Sequence, residues 1–308
     1  MNRIYAKEQK EREQKHIRKD HQLLALKVLF TEEQVALYQN NTERFFSNVE
    51  LTRIGIVQLS HDGKLHFIHR TFAEYYFADC LVSRLNERRN NSQQVQNSIL
   101  KDIFLEKGYE VIRLFVDGLF SKIKPSQLVL KQNGNWAHDL EEDIFHKATS
   151  EDNANIVGFL LDSVQAGVQR YTVNELLLGT DEGGLTAWHI AISSNSTKVL
   201  KKLRVLAEKN LTADDIYNKL LLATDYEGRT VWQLAAMWDN SETLQNVWEW
   251  TTENATIQEM VNKILICTDN EGRTAWHLAA MRGNSKTLRK VWECVKENLT
   301  KEEIINKF

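Results

Sequence analysis

The feature that most constrains this chain is a repeat. Thr180-Asp181, Thr224-Asp225 and Thr268-Asp269 open three segments 44 residues apart. A period of that length calls for a row of similar supersecondary units rather than one continuous core. The second and third units share Thr-Asp-x-Glu-Gly-Arg-Thr-x-Trp-x-Leu-Ala-Ala-Met over 224–237 and 268–281, and the first holds Thr186-Ala187-Trp188-His189-Ile190-Ala191 in the same frame. Upstream, Phe145-His146-Lys147-Ala148 followed by Asn155-Ile156-Val157 echoes the pattern as a degenerate fourth copy.

Each unit reads as a turn and three helices. Asp225-Tyr226-Glu227-Gly228 and Asp269-Asn270-Glu271-Gly272 place Asp and Gly where a tight turn needs them. Thr230 and Thr274 then stand at helix N-caps, and Trp276, Ala279 and Ala280 form a narrow apolar stripe at i, i+3 and i+4. Leu288, Val291, Trp292 and Val295 recur at helical spacing in a second helix, matched one unit earlier by Leu244, Val247 and Trp248. Thr212-x-x-Asp215, Thr256-x-x-Glu259 and Thr300-x-x-Glu303 are capping-box patterns that open a third, shorter helix. The same threonines complete Asn-x-Thr sequons at 210, 254 and 298. Their recurrence is explained by capping, and without a signal peptide they are expected to stay unmodified.

These residues resemble the ankyrin repeat, with its Asp-x-x-Gly-x-Thr-Pro-Leu-His-x-Ala-Ala signature. The resemblance covers roughly 140–308. Two departures stand out: Trp188, Trp232 and Trp276 occupy the Leu position, and Ala187, Val231 and Ala275 occupy the Pro position. The period also exceeds the family's usual value of about 33, and the surplus corresponds to the third helix. The resemblance implies an α-solenoid that binds proteins, in which the side chains of His189, Gln233 and His277 bond backbone groups of neighbouring loops. That reading is preferred to a metal site, because Gln is a poor zinc ligand. The tryptophans at 188, 232 and 276, and at 248 and 292, are read as core. Partner contacts are expected at Tyr226, Arg229, Asn270 and Arg273 on the loops and at two exposed tryptophans, Trp238 and Trp250, since loop tips and stray aromatics carry binding on rigid scaffolds. Arg229 and Arg273 have the alternative of bonding neighbouring loops.

Before residue 140 the pattern changes. Ile54-Gly55-Ile56-Val57-Gln58-Leu59, the turn Ser60-His61-Asp62-Gly63 and the alternating Lys64-Leu65-His66-Phe67-Ile68-His69 predict a β-hairpin. Arg70 to Leu85 follows as a helix with Thr71-x-x-Glu74 at its start, and helical Gln22–Leu29 and Glu32–Tyr38 precede it. Phe67-Ile68-His69-Arg70-Thr71-Phe72-Ala73-Glu74-Tyr75-Tyr76-Phe77-Ala78 resembles the stretch closing the winged-helix part of NACHT-type nucleotide-binding switch proteins, a match spanning about 22–120. The resemblance implies that His69 matches the histidine that senses the bound nucleotide. The phosphate-binding loop Gly-x-x-x-x-Gly-Lys-Ser/Thr is missing from the sequence, so the catalytic half would lie upstream of Met1 and His69 would be an orphaned sensor. The alternative is a satisfied residue of the hairpin edge. Zinc at His61, His66, His69 and Cys80 lacks a closed four-ligand spacing, and Cys80 reads as a small core hydrophobe.

Composition fits this organisation. One proline in 308 residues, against roughly fifteen at average usage, favours helix, and the Ala or Val at the repeat's Pro position accounts for much of the deficit. Three cysteines without a Cys-x-x-Cys pair suit a reducing compartment. No apolar leader and no membrane-length apolar run occur in the sequence, so a cytoplasmic protein is expected. A net charge of −3 gives no general attraction to nucleic acid.

The expected fold is mainly α: a winged-helix-like domain with one β-hairpin over 1–85, a helical connector over 86–140, and an ankyrin-like α-solenoid over 141–308, divided at 141–179, 180–223, 224–267 and 268–308. Val95, Ile99, Phe104, Val111, Ile112, Leu114, Phe115, Leu119 and Phe120 mark the connector helices, and Gln132-Asn133-Gly134-Asn135 marks the boundary. The expected function is non-enzymatic: a scaffold that binds protein partners, regulating a NACHT-type switch, with no cofactor, no metal and no catalytic residue. Self-association through an uncapped last repeat is also expected. The alternatives are a winged-helix DNA-binding protein, which only Arg84, Arg88 and Arg89 support, and a decayed fragment of such a switch with no independent activity.

Overall fold

Capped amphipathic segments dominate the chain, and the structure, a computed structural model, is accordingly mainly helical with one two-stranded antiparallel hairpin. It describes residues 2–30, 35, 52, 55–61, 64–85, 103–122, 138–165, 172–238, 241–254, 256 and 261–307. The expected helix at Glu32–Tyr38, apart from Val35, the segment from Val95 to Ile99 and the boundary tetrapeptide Gln132–Asn135 lie outside those residues. The chain forms two compact units, Met1–Asn135 and Trp136–Phe308. Among the described residues no helix is long and apolar enough to cross a membrane.

In the first unit, α1 (Asn2–Leu29) and α3 (Glu110–Phe120) both pack on α2 (Arg70–Leu85). The hairpin is shorter than its apolar pattern suggests: β1 (Val57–Leu59) pairs with β2 (Leu65–Phe67) in the register Val57↔Phe67. Its buried face carries Val57 and Phe67, and the core continues through Leu26, Phe77, Ala78, Ile112 and Val116. Asp79, buried on α2, accepts hydrogen bonds from the Arg18 guanidinium and, at 2.7 Å, from Gln22 Nε2, which ties α1 to α2 through charge-assisted bonds. The fully buried Arg113 donates to the carbonyls of Ile103 (2.6 Å) and Glu106 (3.0 Å).

The second unit is built from helix pairs. First helices α4 (His138–Ser150), α7 (Ala187–Ser193), α10 (Val231–Met237) and α12 (Ala275–Met281) lie side by side in sequence order. Each packs on its own second helix: α5 (Ala154–Gln165), α8 (Thr197–Asn210), α11 (Ser241–Asn254) and α13 (Ser285–Asn298). The chain reverses at residues with positive φ, Asp152 (58°), Asn195 (56°) and Gly283 (68°), residue types that tolerate a left-handed helix cap. Paired bonds close these turns in the same way: Asn153 N to Ala148 O at 2.9 Å, Ser196 N to Ala191 O at 2.8 Å and Asn284 N to Ala279 O at 3.2 Å. The degenerate upstream segment thus forms the same helix–turn–helix as the clear copies.

The extra third segment, in the copies at 173–178, 213–221 and 261–265, touches the second helix of the unit that follows. It comprises α6 (Val173–Leu178), then α9 (Ala213–Asp215) widening into a π-helical stretch Ile216–Leu221, then a π-helical stretch Val261–Leu265, and finally α14 (Lys301–Lys307). In the copy that Thr212 opens only the start is α, where Thr212 Oγ1 accepts from Asp215 N at 3.1 Å. Beyond it the wider turn buries Ile216, Tyr217, Leu220 and Leu221 against α10 and α11. In the first copy, α6 bridges α5 and α8.

Candidate partner-binding surface

The first helices α7, α10 and α12 each start at a threonine N-cap, Thr186, Thr230 and Thr274, and the third helical residue answers it. Thr230 Oγ1 accepts from Gln233 N, while Gln233 Oε1 accepts from Thr230 N at 2.9 Å. In the preceding unit His189 Nδ1 accepts from Thr186 N at 3.2 Å. The far end of each side chain reaches to the unit junction: His189 Nε2 donates to Ala223 O (3.1 Å), the last residue of its own unit, and Gln233 Nε2 donates to Cys267 O (3.2 Å), the last of its unit, and to Arg273 O (3.0 Å) in the next. Only a side chain with an acceptor at one end and a donor at the other can do both, which His and Gln satisfy and Glu or Lys cannot. His189 is therefore held as the neutral Nε2–H tautomer. Burial lowers its pKa, opposed by Asp225 and by bonds to the Ala223 and Arg229 backbone.

Tryptophan fills the space beneath. Trp188 stacks on Trp250 of the next unit with ring centroids 4.4 Å apart, while Trp232 packs on Trp248 (5.3 Å) and Trp276 on Trp292 (5.4 Å) within their own units. The expectation of an exposed Trp250 is overturned: it is 2% exposed. Its physical reason is Trp188, whose own second helix carries Arg204 at the position that Trp248 and Trp292 fill in the later units. Of the tryptophans read as core, Trp248 and Trp276 are only half-buried and Trp292 is 38% exposed, and His277 is exposed.

The loops are locked by their aspartates. Asp225 Oδ1 accepts from Glu227 N (3.0 Å) and Arg229 N (2.8 Å), and Asp269 repeats this with Glu271 N and Arg273 N. Arg229 and Arg273 turn back onto these carboxylates, Nε to Oδ2 at 2.8 and 2.7 Å, so both serve their own loop. Hydrogen bonds to Asp269 outweigh its burial and lower its pKa. Successive loops are also bonded together: Asn270 N donates to Glu227 O at 2.9 Å, and Asn270 Nδ2 to Tyr226 O at 2.9 Å.

What this framework presents outward is small. Tyr226 stands at a loop tip, 73% exposed. Ser194, Trp238 and Arg282 are the C-caps of α7, α10 and α12 in successive units and all are exposed. Arg282 lies over the Trp238 ring at 5.4 Å, a cation–π contact. Asn284 Nδ2 donates to Met237 O at 3.0 Å and holds this edge together. Arg282 escaped the sequence reading, although it lies one period after Trp238.

In the first unit His69 is exposed, and its Nδ1 accepts from Thr71 N at 3.2 Å at the start of α2. His66 is bonded across the hairpin to Gln58 at 2.9 Å. Among the described residues no cluster of His, Cys, Asp and Glu is placed to hold a metal ion. No protein-family model matches the chain, and no curated protein sequence matches it.

Proposed function

We propose that this chain is a non-enzymatic protein-recognition scaffold whose second unit is a divergent ankyrin-like solenoid and whose first is a winged-helix-like module of NACHT type. The repeated Asp-x-x-Gly loops, the side-by-side first helices and the left-handed caps between paired helices support the solenoid. The observation that carries the function is the Trp238–Arg282 pair, exposed on helix C-caps that hydrogen bonds hold in register. Aromatic and arginine side chains anchored on rigid backbone give large contact area at small entropic cost. The partner contacts are Tyr226, Trp238 and Arg282, with Asn270, Arg229 and Arg273 fixing the loops behind them.

Affinity capture from a cellular extract with the whole chain, compared with Tyr226→Ala/Trp238→Ala/Arg282→Ala, tests this. Loss of specific partners with an unchanged melting curve is expected. Retention of every partner would overturn it.

A further inference from the structure

The second helices of the repeats keep their inner side and change their outer one. Leu203, Val247 and Val291 are buried at one repeat position of α8, α11 and α13, and Ala207, Thr251 and Val295 at another. On the outer side, Lys198, Val205 and Lys209 of α8 give way to Glu242, Glu249 and Glu253 at the same positions of α11. One architecture thus carries opposite charge at matching places, so folding does not require the lysines.

Lys198, Lys201, Lys202, Val205 and Lys209 stand at i, i+3, i+4, i+7 and i+11 of one uninterrupted helix, which makes them a single face about 16 Å long. All five are exposed, Val205 by 62%. Lys198 lies 3.8 Å from Asp152, and among the described residues Lys201, Lys202 and Lys209 enter no ion pair. The carboxylates of Glu208 and Glu253 are both taken by Arg204. Lys202 runs its stem over α5, where a Cβ added to Gly158 would stand 2.8 Å from Cε, and this packing positions its ammonium.

Four ammonium groups around one exposed aliphatic side chain complement carboxylates around an apolar one. The exposed Glu242, Glu249 and Glu253 of α11 limit how broad that partner is, because the Arg204–Glu253 bridge sets α11 beside α8. Neighbouring helices lie about 8–10 Å apart, so a nucleic-acid duplex or an anionic bilayer would meet these carboxylates as well, whereas a single helix would not. We infer that Lys198, Lys201, Lys202, Val205 and Lys209 dock an acidic amphipathic helix of a partner protein, with its carboxylates on the lysines and an apolar side chain on Val205. This surface is separate from the Trp238–Arg282 contacts and stands or falls without them.

Fluorescence anisotropy of a labelled helical peptide with four glutamates and a central leucine on one face tests this, with the whole chain titrated from about 1 to about 500 µM to bracket micromolar affinity. Saturable binding that weakens with added salt is expected. Lys201→Glu/Lys202→Glu should weaken it by about 10-fold or more. Val205→Glu should also weaken it, and the repeat already accommodates Glu at that position, in Glu249 and Glu293. Replacing the peptide's leucine by glutamine should cost about threefold or more. Lys286→Glu/Arg289→Glu makes the same change of charge on the exposed face of α13 and should leave binding intact. No binding, equal loss from the α13 pair, or indifference to Val205→Glu and to the leucine would each overturn the inference. So would tighter binding, through the same lysines, of a short DNA duplex or of phosphatidylserine/phosphatidylcholine vesicles, or self-association of the chain abolished by Lys201→Glu/Lys202→Glu.

Discussion

The Nε2 hydrogen of His189 is donated to the carbonyl of Ala223, 34 residues further along the chain and the last residue of its own repeat, at 3.1 Å. One imidazole thus caps its own helix and holds the end of its own repeat, and it also bonds the Arg229 backbone in the following one. Position 233 does the same work with an amide, so the row contains its own control for the role of the proton.

Stability should consequently depend on pH in a direction set by burial. Burial lowers the pKa of His189 and of His146, with Asp225 opposing it at the first and Asp181 and Asp143 at the second, while Arg229 lowers His189 further. Between the folded values and the ordinary 6.5, the unfolded chain binds more protons than the folded one. The stabilisation is complete above pH 6.5 and is lost as pH falls through that window. His189→Gln, the side chain already working at 233, should preserve the junction and reduce the fall in melting temperature between about pH 7.5 and about pH 5.5. His146 keeps the remainder of the effect. An unaltered pH slope would show that the imidazole is not held neutral.

The two ends of the tryptophan series should respond unequally. Trp232 is 1% exposed, so Trp232→Ala should cost about 3–5 kcal/mol through lost transfer energy and a cavity. Trp276 is half-buried, and Trp276→Ala should cost only about 1–2 kcal/mol. Trp232→Phe should be the mildest change at its site, because it removes an indole N–H that is buried without a partner. Urea midpoints decide this, and equal losses at 232 and 276 would contradict the graded burial.

Much of the local architecture is legible in the sequence because it depends on local chemistry. Thr186, Thr230 and Thr274 start helices through their own side chains or backbone, and Asp225 and Asp269 close turns with bonds two and four residues away. Arg70–Leu85 has the bounds that its pattern predicts, but the Thr71-x-x-Glu74 cap does not form: Thr71 lies inside the helix with its N–H on His69 Nδ1, and Glu74 pairs with Arg70. Features that depend on the next unit are harder to read. The π-helical form of Ile216–Leu221 is shaped by packing on α10 and α11, and Trp250 is buried by a tryptophan 62 positions away. Both signals existed in principle: Trp250 lies at i+3 from Val247, on a buried stripe, and Arg204 breaks the tryptophan column. The exposed Arg282 carries no periodic hydrophobic signal at all, which is why the contact surface was only half visible.

The first unit offers a test of its polar tie. Asp79 is 2% exposed and accepts from Arg18 and Gln22, while the Arg18 side chain is 56% exposed. Asp79→Ala strands the Gln22 amide in the interior and removes charge-assisted bonds, so it should cost about 2–3 kcal/mol. Arg18→Ala leaves a buried carboxylate with fewer donors and should also destabilise, whereas Arg18→Ala/Asp79→Ala should lose less than the sum of the two. Strict additivity in chemical denaturation would mean that the pair does not act as a unit.

The loop ladder can be probed by a single methyl group. Gly228 and Gly272 share a φ of 76°, a conformation that penalises any Cβ by about 1 kcal/mol or more. At Gly272 an added Cβ meets nothing within 4 Å, whereas at Gly228 it would meet the Asn270 side chain and, at 3.0 Å, the Asn270 backbone nitrogen. That nitrogen is the donor that joins the loop to Glu227 of the preceding unit. Gly272→Ala should therefore show the conformational penalty alone, and Gly228→Ala should add the cost of parting two loops. Amide exchange at Asn270 should accelerate in Gly228→Ala and stay slow in Gly272→Ala. Equal exchange in the two variants would mean that the loops are stabilised separately and that the ladder between them carries no load.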